Sequence, residues 1–188
     1  MKLTRLILAM MLLLCLTLGA VAETAPATRV GTIELEGTQE PVNEAVYESP
    51  RGYRLWIDID RFAYVEPEEG NDIDAFEPFD PNALDGVGLY ITYSAQPDYT
   101  LEMARDDLAK SLTENGYAVT EIDAKLLFPN YEAYGFHAVK EDMVVEKYIV
   151  AAKAGQFYLS REYPLMAAEG FGARLWHMVS TFELVETE

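Results

Sequence analysis

The clearest hydrophobic pattern lies near the C-terminal end of the chain, in residues 143–163. The segment from Met143 to Ala151 is apolar at both odd and even positions, which predicts a central strand covered on both faces. A turn at Ala154-Gly155 separates it from a second strand. Apolar residues occur there at alternate positions and predict one apolar and one polar face; they are Phe157, Leu159 and Tyr163.

A helix is predicted after Pro164. Large apolar residues recur there at intervals of four, three and four, which places them on one helical face. These residues are Phe171, Leu175, Met178 and Phe182. A stripe of this kind is typical of a helix that packs on a sheet.

More strands and a second helix are predicted upstream. Residues 44–60 predict two strands joined by a turn at Ser49-Pro50-Arg51-Gly52. Residues 87–94 alternate strictly and predict a strand, after which Thr100 caps a helix from Leu101 to about Asn115. Residues 117–128 and 131–139 predict two further strands. This order predicts an α+β fold in which a largely antiparallel sheet packs against helices in a single domain, residues 45–188.

The segment 61–86 departs from these patterns because it is rich in carboxylates and interrupted by prolines. The prolines argue against a central strand, so we expect a long loop, and long loops in compact domains are often functional. Four of its carboxylates are candidate ligands for Ca²⁺, which takes about six to eight oxygen atoms; they are Glu68, Glu69, Asp72 and Asp74. Their spacing does not match an EF-hand loop, and a solvated acidic loop is the alternative.

The N-terminus has the pattern of a secretory signal peptide. Lys2 and Arg5 precede an apolar run that ends in small residues, which predicts cleavage after Ala22 and removal of residues 1–22. The run is shorter than the about 20 apolar residues that span a bilayer, so we expect no membrane insertion after cleavage; an uncleaved anchor is the alternative. Residues 23–44 are predicted as a flexible leader with a short first strand at 30–36. The expected location is the cell envelope or the extracellular space.

The net charge narrows the choice of partner. The chain carries 32 acidic and 14 basic residues, and its formal net charge is −18. Such a chain repels nucleic acid and anionic lipid surfaces, so we expect neither as a partner. The single cysteine, Cys15, lies in the predicted signal peptide, so no disulfide is expected in the mature chain.

The order of these elements resembles the PsbP-like fold, as do a Gly-Tyr-x-Leu strand at Gly52–Leu55 and the ending Met178-Val179-Ser180-Thr181-Phe182. That family includes oxygen-evolution accessory proteins of photosystems, a Ran-binding nuclear transport factor and many exported bacterial proteins. The resemblance covers residues 45–184 and implies a non-enzymatic binding or assembly module. The chain departs from the family pattern just after the Gly-Tyr-x-Leu strand. Relatives often have a proline there, whereas this chain continues with Ile57-Asp58-Ile59-Asp60. Its acidic segment is also longer than is typical of the family.

Few residues suggest catalysis. The predicted mature chain has no thiol, no Gly-x-Ser-x-Gly motif and only two histidines, His137 and His177, which do not form a metal-binding pair. We therefore expect no enzyme. Many carboxylates are present, and a hydrolase that uses two of them stays a third alternative.

Three residues are candidates for binding a partner. Trp56, Tyr90 and His137 each fall opposite the stronger apolar alternation of their strands. If those strands are neighbours, the three side chains form one patch that can stack on a glycan, a peptide or a protein side chain. The alternative is that another element covers this face and the three residues belong to the core.

The preferred hypothesis from the sequence is an exported, non-enzymatic domain that binds another macromolecule in the cell envelope or outside the cell. The alternative is a protein that binds calcium or a small ligand through the acidic segment 66–85. No resident cofactor is expected, apart from calcium under that alternative.

Overall fold

The structure is a computed structural model that describes residues 25–68, 70–80, 83–96 and 98–185, so the predicted signal peptide lies outside the described residues. The strands are β1 (Thr28–Leu35), β2 (Thr38–Ser49), β3 (Tyr53–Asp58), β4 (Phe62–Val65), β5 (Ile73–Pro78), β6 (Gly88–Ser94), β7 (Ala118–Ile122), β8 (Ala133–Lys140), β9 (Met143–Ala152), β10 (Gly155–Pro164) and β11 (Glu183–Leu184). The α-helices are α1 (Leu101–Glu114) and α2 (Ala173–Ser180). No helix among the described residues is long and apolar enough to cross a membrane.

The strands form two sheets in which every pairing is antiparallel. One sheet has four strands in the order β1-β2-β3-β11, and the other has seven in the order β4-β5-β6-β10-β9-β8-β7. The predicted α+β fold with a largely antiparallel sheet is confirmed. Strand β9 lies between β8 and β10, as its apolar residues on both faces predicted.

The main core lies between the two sheets. Tyr53 of β3 reaches across to Phe157 of β10 and stacks on Phe182 after α2, with ring centroids 5.4 and 5.2 Å apart. Leu175 and Met178 of α2 are fully buried in the same core. We call the face of the seven-stranded sheet that carries Leu89, Ile91, Tyr148 and Leu159 the inner face.

The opposite face, which carries Tyr90, Phe136 and Lys147, is called the outer face. Helix α1 packs on it through Leu112, which contacts Phe136 and Ala138 in a small second cluster. Thr100 caps this helix, because its side chain accepts a hydrogen bond from the Met103 backbone N–H. The predicted cap is confirmed, and the molecule has two sheets and a flanking helix in three layers.

The acidic segment contains strands where a loop was predicted, and that prediction is wrong. Strands β4 and β5 form a hairpin at one end of the seven-stranded sheet. The prolines do not prevent this, because Pro67 lies in the connection and Pro78 is the last residue of β5. The apolar alternation was hidden because Asp74, a charged residue, occupies a buried inner position beside Phe76.

Two other boundaries differ from the sequence expectations. Residues 28–44 form β1 and the first part of β2, a longer hairpin than the short strand that was expected within the leader. The strand expected over residues 117–128 ends at Ile122, and a short 3₁₀ turn occupies Ala124–Leu126. Asp123 caps this turn by accepting a hydrogen bond from the Lys125 N–H, which ends the extended conformation.

Candidate functional site

The candidate site is a cleft beside the start of α2, which we call the α2 cleft. A 3₁₀ turn (Leu165–Ala167) and a single π-helical turn (Ala168–Gly172) connect β10 to the helix there. The cleft has a volume of about 380 Å³ and is lined by Thr32, Ile33, Glu34, Arg161, Tyr163, Ala168, Gly172, Ala173, Trp176 and His177. Single π-helical turns occur frequently at functional sites.

The π-helical turn lies close against β10 at Gly172. A Cβ on Gly172 would lie 3.0 Å from ring carbons of Tyr163, so a larger residue there would require the ring or the turn to shift. The carbonyl oxygen of Gly172 also accepts a 2.7 Å hydrogen bond from Arg161 Nη1. These contacts fix the wall of the cleft against the sheet.

A buried ion pair lies behind this wall. Arg161 donates from Nε and Nη2 to Glu146 Oε2 at 2.9 and 2.5 Å, and Tyr148 donates to the same oxygen at 2.6 Å. Burial opposes ionisation of Glu146, but the charge of Arg161 and these hydrogen bonds outweigh it and hold the pKa of the carboxyl below its ordinary value. Glu146 is therefore a carboxylate whose donors hold it in place.

A second set of charges ties α2 to the four-stranded sheet. Glu44 of β2 is fully buried, accepts a 2.6 Å hydrogen bond from Arg29 Nε and lies 2.7 Å from His177 Nε2. Arg174, one helical turn earlier, donates to Asp58 at 2.5 Å. His177 and Arg174 lie three residues apart and share a side of the helix. They orient α2 and so shape the cleft.

The mouth of the cleft is apolar and exposed. Trp176 lines it and is 44% exposed, and the turn that leads into it carries Met166 and Leu165, which are 81% and 57% exposed. Exposed methionine and aromatic side chains are enriched at protein interfaces. Arg161 and His177, which line the cleft, already have carboxylate partners. The cleft thus offers an apolar contact surface above a wall whose arginine and histidine side chains already have carboxylate partners.

The three predicted partner-binding residues do not come together. Trp56 lies in the four-stranded sheet, where the Arg29 guanidinium covers its ring at 4.1 Å. Tyr90 lies in the other sheet and is in register with Phe136, so that His137 points to the opposite face from Tyr90. The expected shared patch required neighbouring strands and a common face, and neither condition is met.

His137 instead belongs to the buried network behind the cleft. Its Nδ1 lies 3.1 Å from Glu146 Oε1, the carboxylate oxygen that Arg161 does not contact. The half-buried ring therefore helps to hold Glu146.

The described candidate calcium ligands do not form a metal-binding cluster. Asp74 lies in β5 and is buried, Asp72 is 96% exposed by its side chain, Glu68 is exposed, and Glu69 lies outside the described residues. The described residues contain no group of three or more histidine, cysteine or carboxylate side chains that could hold a metal ion.

Asp74 has donors of its own. Its Oδ2 accepts hydrogen bonds from Ser49 and Tyr53 at 2.9 and 2.7 Å, and its Oδ1 accepts one from Arg51 at 2.5 Å. Burial disfavours its charge, but these three donors outweigh burial and lower the pKa of Asp74. The carboxylate joins the turn between β2 and β3 to β5.

Glu146, Arg161 and Trp176 were not found from the sequence. A signal existed for the first two, since Glu146 interrupts an apolar strand and Arg161 stands at an inward position between Leu159 and Tyr163. A charged residue at a buried position of a strand needs a partner, and two such residues on adjacent predicted strands indicate a pair. A signal existed for Trp176 as well, since it falls outside the apolar stripe of its helix.

Comparisons with known proteins bear on the fold. No protein-family model and no curated protein sequence matches the chain. Among solved structures, the chain is similar to the solution structure of cyanobacterial PsbP (CyanoP) from Synechocystis sp. PCC 6803, with a TM-score of 0.50 and 10% sequence identity. The match covers 88% of this chain and 96% of that one. At this identity the similarity concerns the fold alone, and the chain has a PsbP-like fold.

Proposed function

We propose that this chain is an exported, non-enzymatic module that binds another protein of the cell envelope or extracellular space at the α2 cleft. The observation that carries the proposal is a set of exposed apolar side chains: Trp176, which lines the cleft, and Leu165 and Met166, which lie in the turn that follows β10. Exposed apolar side chains next to a concave surface favour protein binding over a purely structural role.

The chemistry of the cleft supports binding rather than catalysis. Arg161 in its wall is paired with the buried carboxylate of Glu146, and His177 Nε2 lies within hydrogen-bond distance of the buried carboxylate of Glu44. A base that activates a nucleophile must have a nucleophile within hydrogen-bond reach, and the histidine nitrogens in contact with protein groups bind carboxylates instead. The PsbP-like fold is compatible with an accessory or binding role, although fold similarity alone is a weak argument for function.

Photocrosslinking in the native host tests the site. A photoreactive amino acid replaces Met166 in one variant and Leu126 in a control variant, because Leu126 is 80% exposed in a different 3₁₀ turn. We expect a discrete crosslinked protein from position 166 and none from position 126. Trp176→Ala, combined with the probe at 166, should reduce the adduct. An identical pattern from both positions, or no adduct from 166, would contradict the proposal.

Export is tested separately. The proposal rests here on the charged start, the apolar run and the small residues before Glu23. We expect the protein recovered from the envelope or medium to begin at Glu23, as measured by mass spectrometry of its N-terminal peptide. Recovery of the chain in the cytoplasm with residues 1–22 intact would refute export and leave the crosslinking result unaffected.

A further inference from the structure

A second concave surface lies between α1 and the outer face of the seven-stranded sheet. Two cavities of about 350 and 310 Å³ lie side by side there and share Leu108, Lys147 and Glu162 in their walls. We call them together the α1 groove. Each is at the lower end of the size range of ligand sites, about 300–1,000 Å³, and together they suit an elongated ligand.

Lys147 lies where the two cavities meet, and it has no hydrogen bond or ion pair among the described residues. It is half-buried. Three other cations at half-buried or buried positions each have a carboxylate within 4 Å; they are Arg51, Arg161 and Arg174. The aliphatic stem of Lys147 can lie against the sheet while the ammonium group faces the cavities, where no protein group among the described residues neutralises it. In a chain with 32 acidic residues, the missing partner points to an anionic group supplied by a ligand.

The rest of the groove is suited to hydroxyl groups. Thr92, Tyr158 and Ser160 contribute hydroxyls to its wall. Ser160 donates a 2.7 Å hydrogen bond to Glu162 Oε1, and Glu162, whose other carboxylate oxygen has no protein donor among the described residues, lines both cavities. A ligand with several hydroxyl groups can donate to the carboxylate and accept from the side-chain hydroxyls.

Tyr90 provides a flat surface at one end. Gly88 allows its ring to lie along the sheet, because a Cβ at Gly88 would lie 2.6 Å from the Tyr90 hydroxyl oxygen and 2.7 Å from Cζ. The hydroxyl donates to Glu77 at 3.1 Å. Burial, with the nearby charge of Glu77, raises the pKa of Tyr90 to about 12, so the donor stays protonated. The ring is thus fixed with an apolar surface beside the hydroxyl-lined cavity.

We propose that the α1 groove binds an acidic sugar, with the carboxylate on Lys147, the hydroxyl groups on Ser160, Glu162 and their neighbours, and one sugar ring against Tyr90. Leu108 of α1 covers the ligand from the other side. This site is independent of the protein-binding proposal, because it lies on the opposite face of the sheet from the α2 cleft. It gives the protein a second, carbohydrate ligand.

Isothermal titration of the purified protein with three probes tests this. Cellobiouronic acid carries the carboxylate and the hydroxyls, cellobiose lacks the carboxylate, and cyclohexanecarboxylate lacks the hydroxyls. We expect the acidic disaccharide to bind at least about tenfold more tightly than either control, because a hydrogen bond to a charged group typically contributes that much. Lys147→Gln should abolish the preference over cellobiose, whereas Lys153→Gln, which changes an exposed lysine, should not.

Gly88→Ala tests the contribution of the Tyr90 ring to binding separately from that of the Lys147 charge. The added methyl group displaces the far end of the flexible Tyr90 side chain and leaves Lys147 in place. We expect the variant to fold and to bind the acidic disaccharide at least about threefold more weakly, with its preference over cellobiose retained. The proposal is overturned if cellobiose or cyclohexanecarboxylate binds as tightly as the acidic disaccharide, if no probe binds, or if Lys147→Gln leaves the preference unchanged.

Discussion

The two faces of the seven-stranded sheet differ in how their charged side chains are paired. On the inner face, Glu146 and Asp74 are buried and each is held by at least three donors or cations. On the outer face, Lys147 is half-buried and has no partner among the described residues, and Glu162 has a single hydroxyl donor.

The difference follows from what covers each face. The four-stranded sheet and α2 cover the inner face, so its buried carboxylates have little access to water and need partners within the protein. A single helix covers part of the outer face, and charges at the edge of that helix can stay available. Charged side chains therefore stabilise the fold on the inner face, whereas those on the outer face remain available to a ligand.

The largest effect is expected when the ion pair between Glu146 and Arg161 on the inner face is broken. Glu146→Gln leaves the buried guanidinium of Arg161 without its counter-charge and should lower the free energy of unfolding by about 3–5 kcal/mol, as measured in urea. The control is Glu162→Gln on the outer face, with an expected loss of about 1 kcal/mol or less, since it weakens one hydroxyl hydrogen bond.

A double variant identifies the cause of that loss. Glu146→Leu combined with Arg161→Met removes both charges and should recover much of the stability, because uncharged residues of similar size need no counter-charge. Equal losses from Glu146→Gln and Glu162→Gln would show that the two faces do not differ in the way described.

The next largest effect is the loss of stability when a buried residue of α2 is truncated, compared with that at its exposed neighbour. Leu175 is fully buried and Trp176 is 44% exposed. Leu175→Ala should destabilise the protein by about 2–5 kcal/mol through a cavity in the core. Trp176→Ala should cost about 1 kcal/mol or less, as at other surface positions. If the tryptophan variant unfolds at the same urea concentration as the leucine variant, Trp176 is a core residue and the apolar mouth of the α2 cleft loses its main member.

Acid should destabilise the protein through the two buried carboxylates of the inner face. The pKa values of Glu146 and Asp74 are lower in the folded protein than in the unfolded chain, so the unfolded state binds more protons on acidification. Their contribution is complete above the unfolded pKa values, near about 4, and is lost as the pH falls through the folded values. The urea midpoint should therefore fall below about pH 5. Glu146→Gln and Asp74→Asn should each make that fall shallower, and an unchanged slope in both would contradict the assignment.

Much of the scaffold could be predicted from the sequence, because it depends on local periodicity. The doubly apolar strand β9, the Thr100 cap and the stripe that includes Leu175 are repetitive signals that a single segment carries. The β4–β5 hairpin was not predicted, because its signal depends on contacts that are distant in sequence. In the sequence, Asp74 has the character of a loop residue. In the fold, its carboxylate accepts hydrogen bonds from Ser49, Arg51 and Tyr53, which lie about twenty residues away in sequence.

The candidate sites were harder to predict, because they depend on which strands are neighbours. Trp56, Tyr90 and His137 were grouped by their place in the alternation, which fixes a face of each strand but not the sheet or the order of strands. Tyr90 does line a groove, but its companions there are Lys147 and Glu162, which come from strands that single-segment patterns could not place beside it.

The smallest expected effect concerns calcium. Asp74 is committed to its own donors and Asp72 extends into solvent, so we expect the melting temperature to be the same in calcium and in chelator. A calcium site would instead add about 2.7 kcal/mol of stability at a concentration one hundred times its dissociation constant. If calcium does stabilise the protein, Glu68→Gln and Glu69→Gln should remove the effect while Asp74→Asn destabilises the protein with or without the ion, because Asp74 is tied to the inner face.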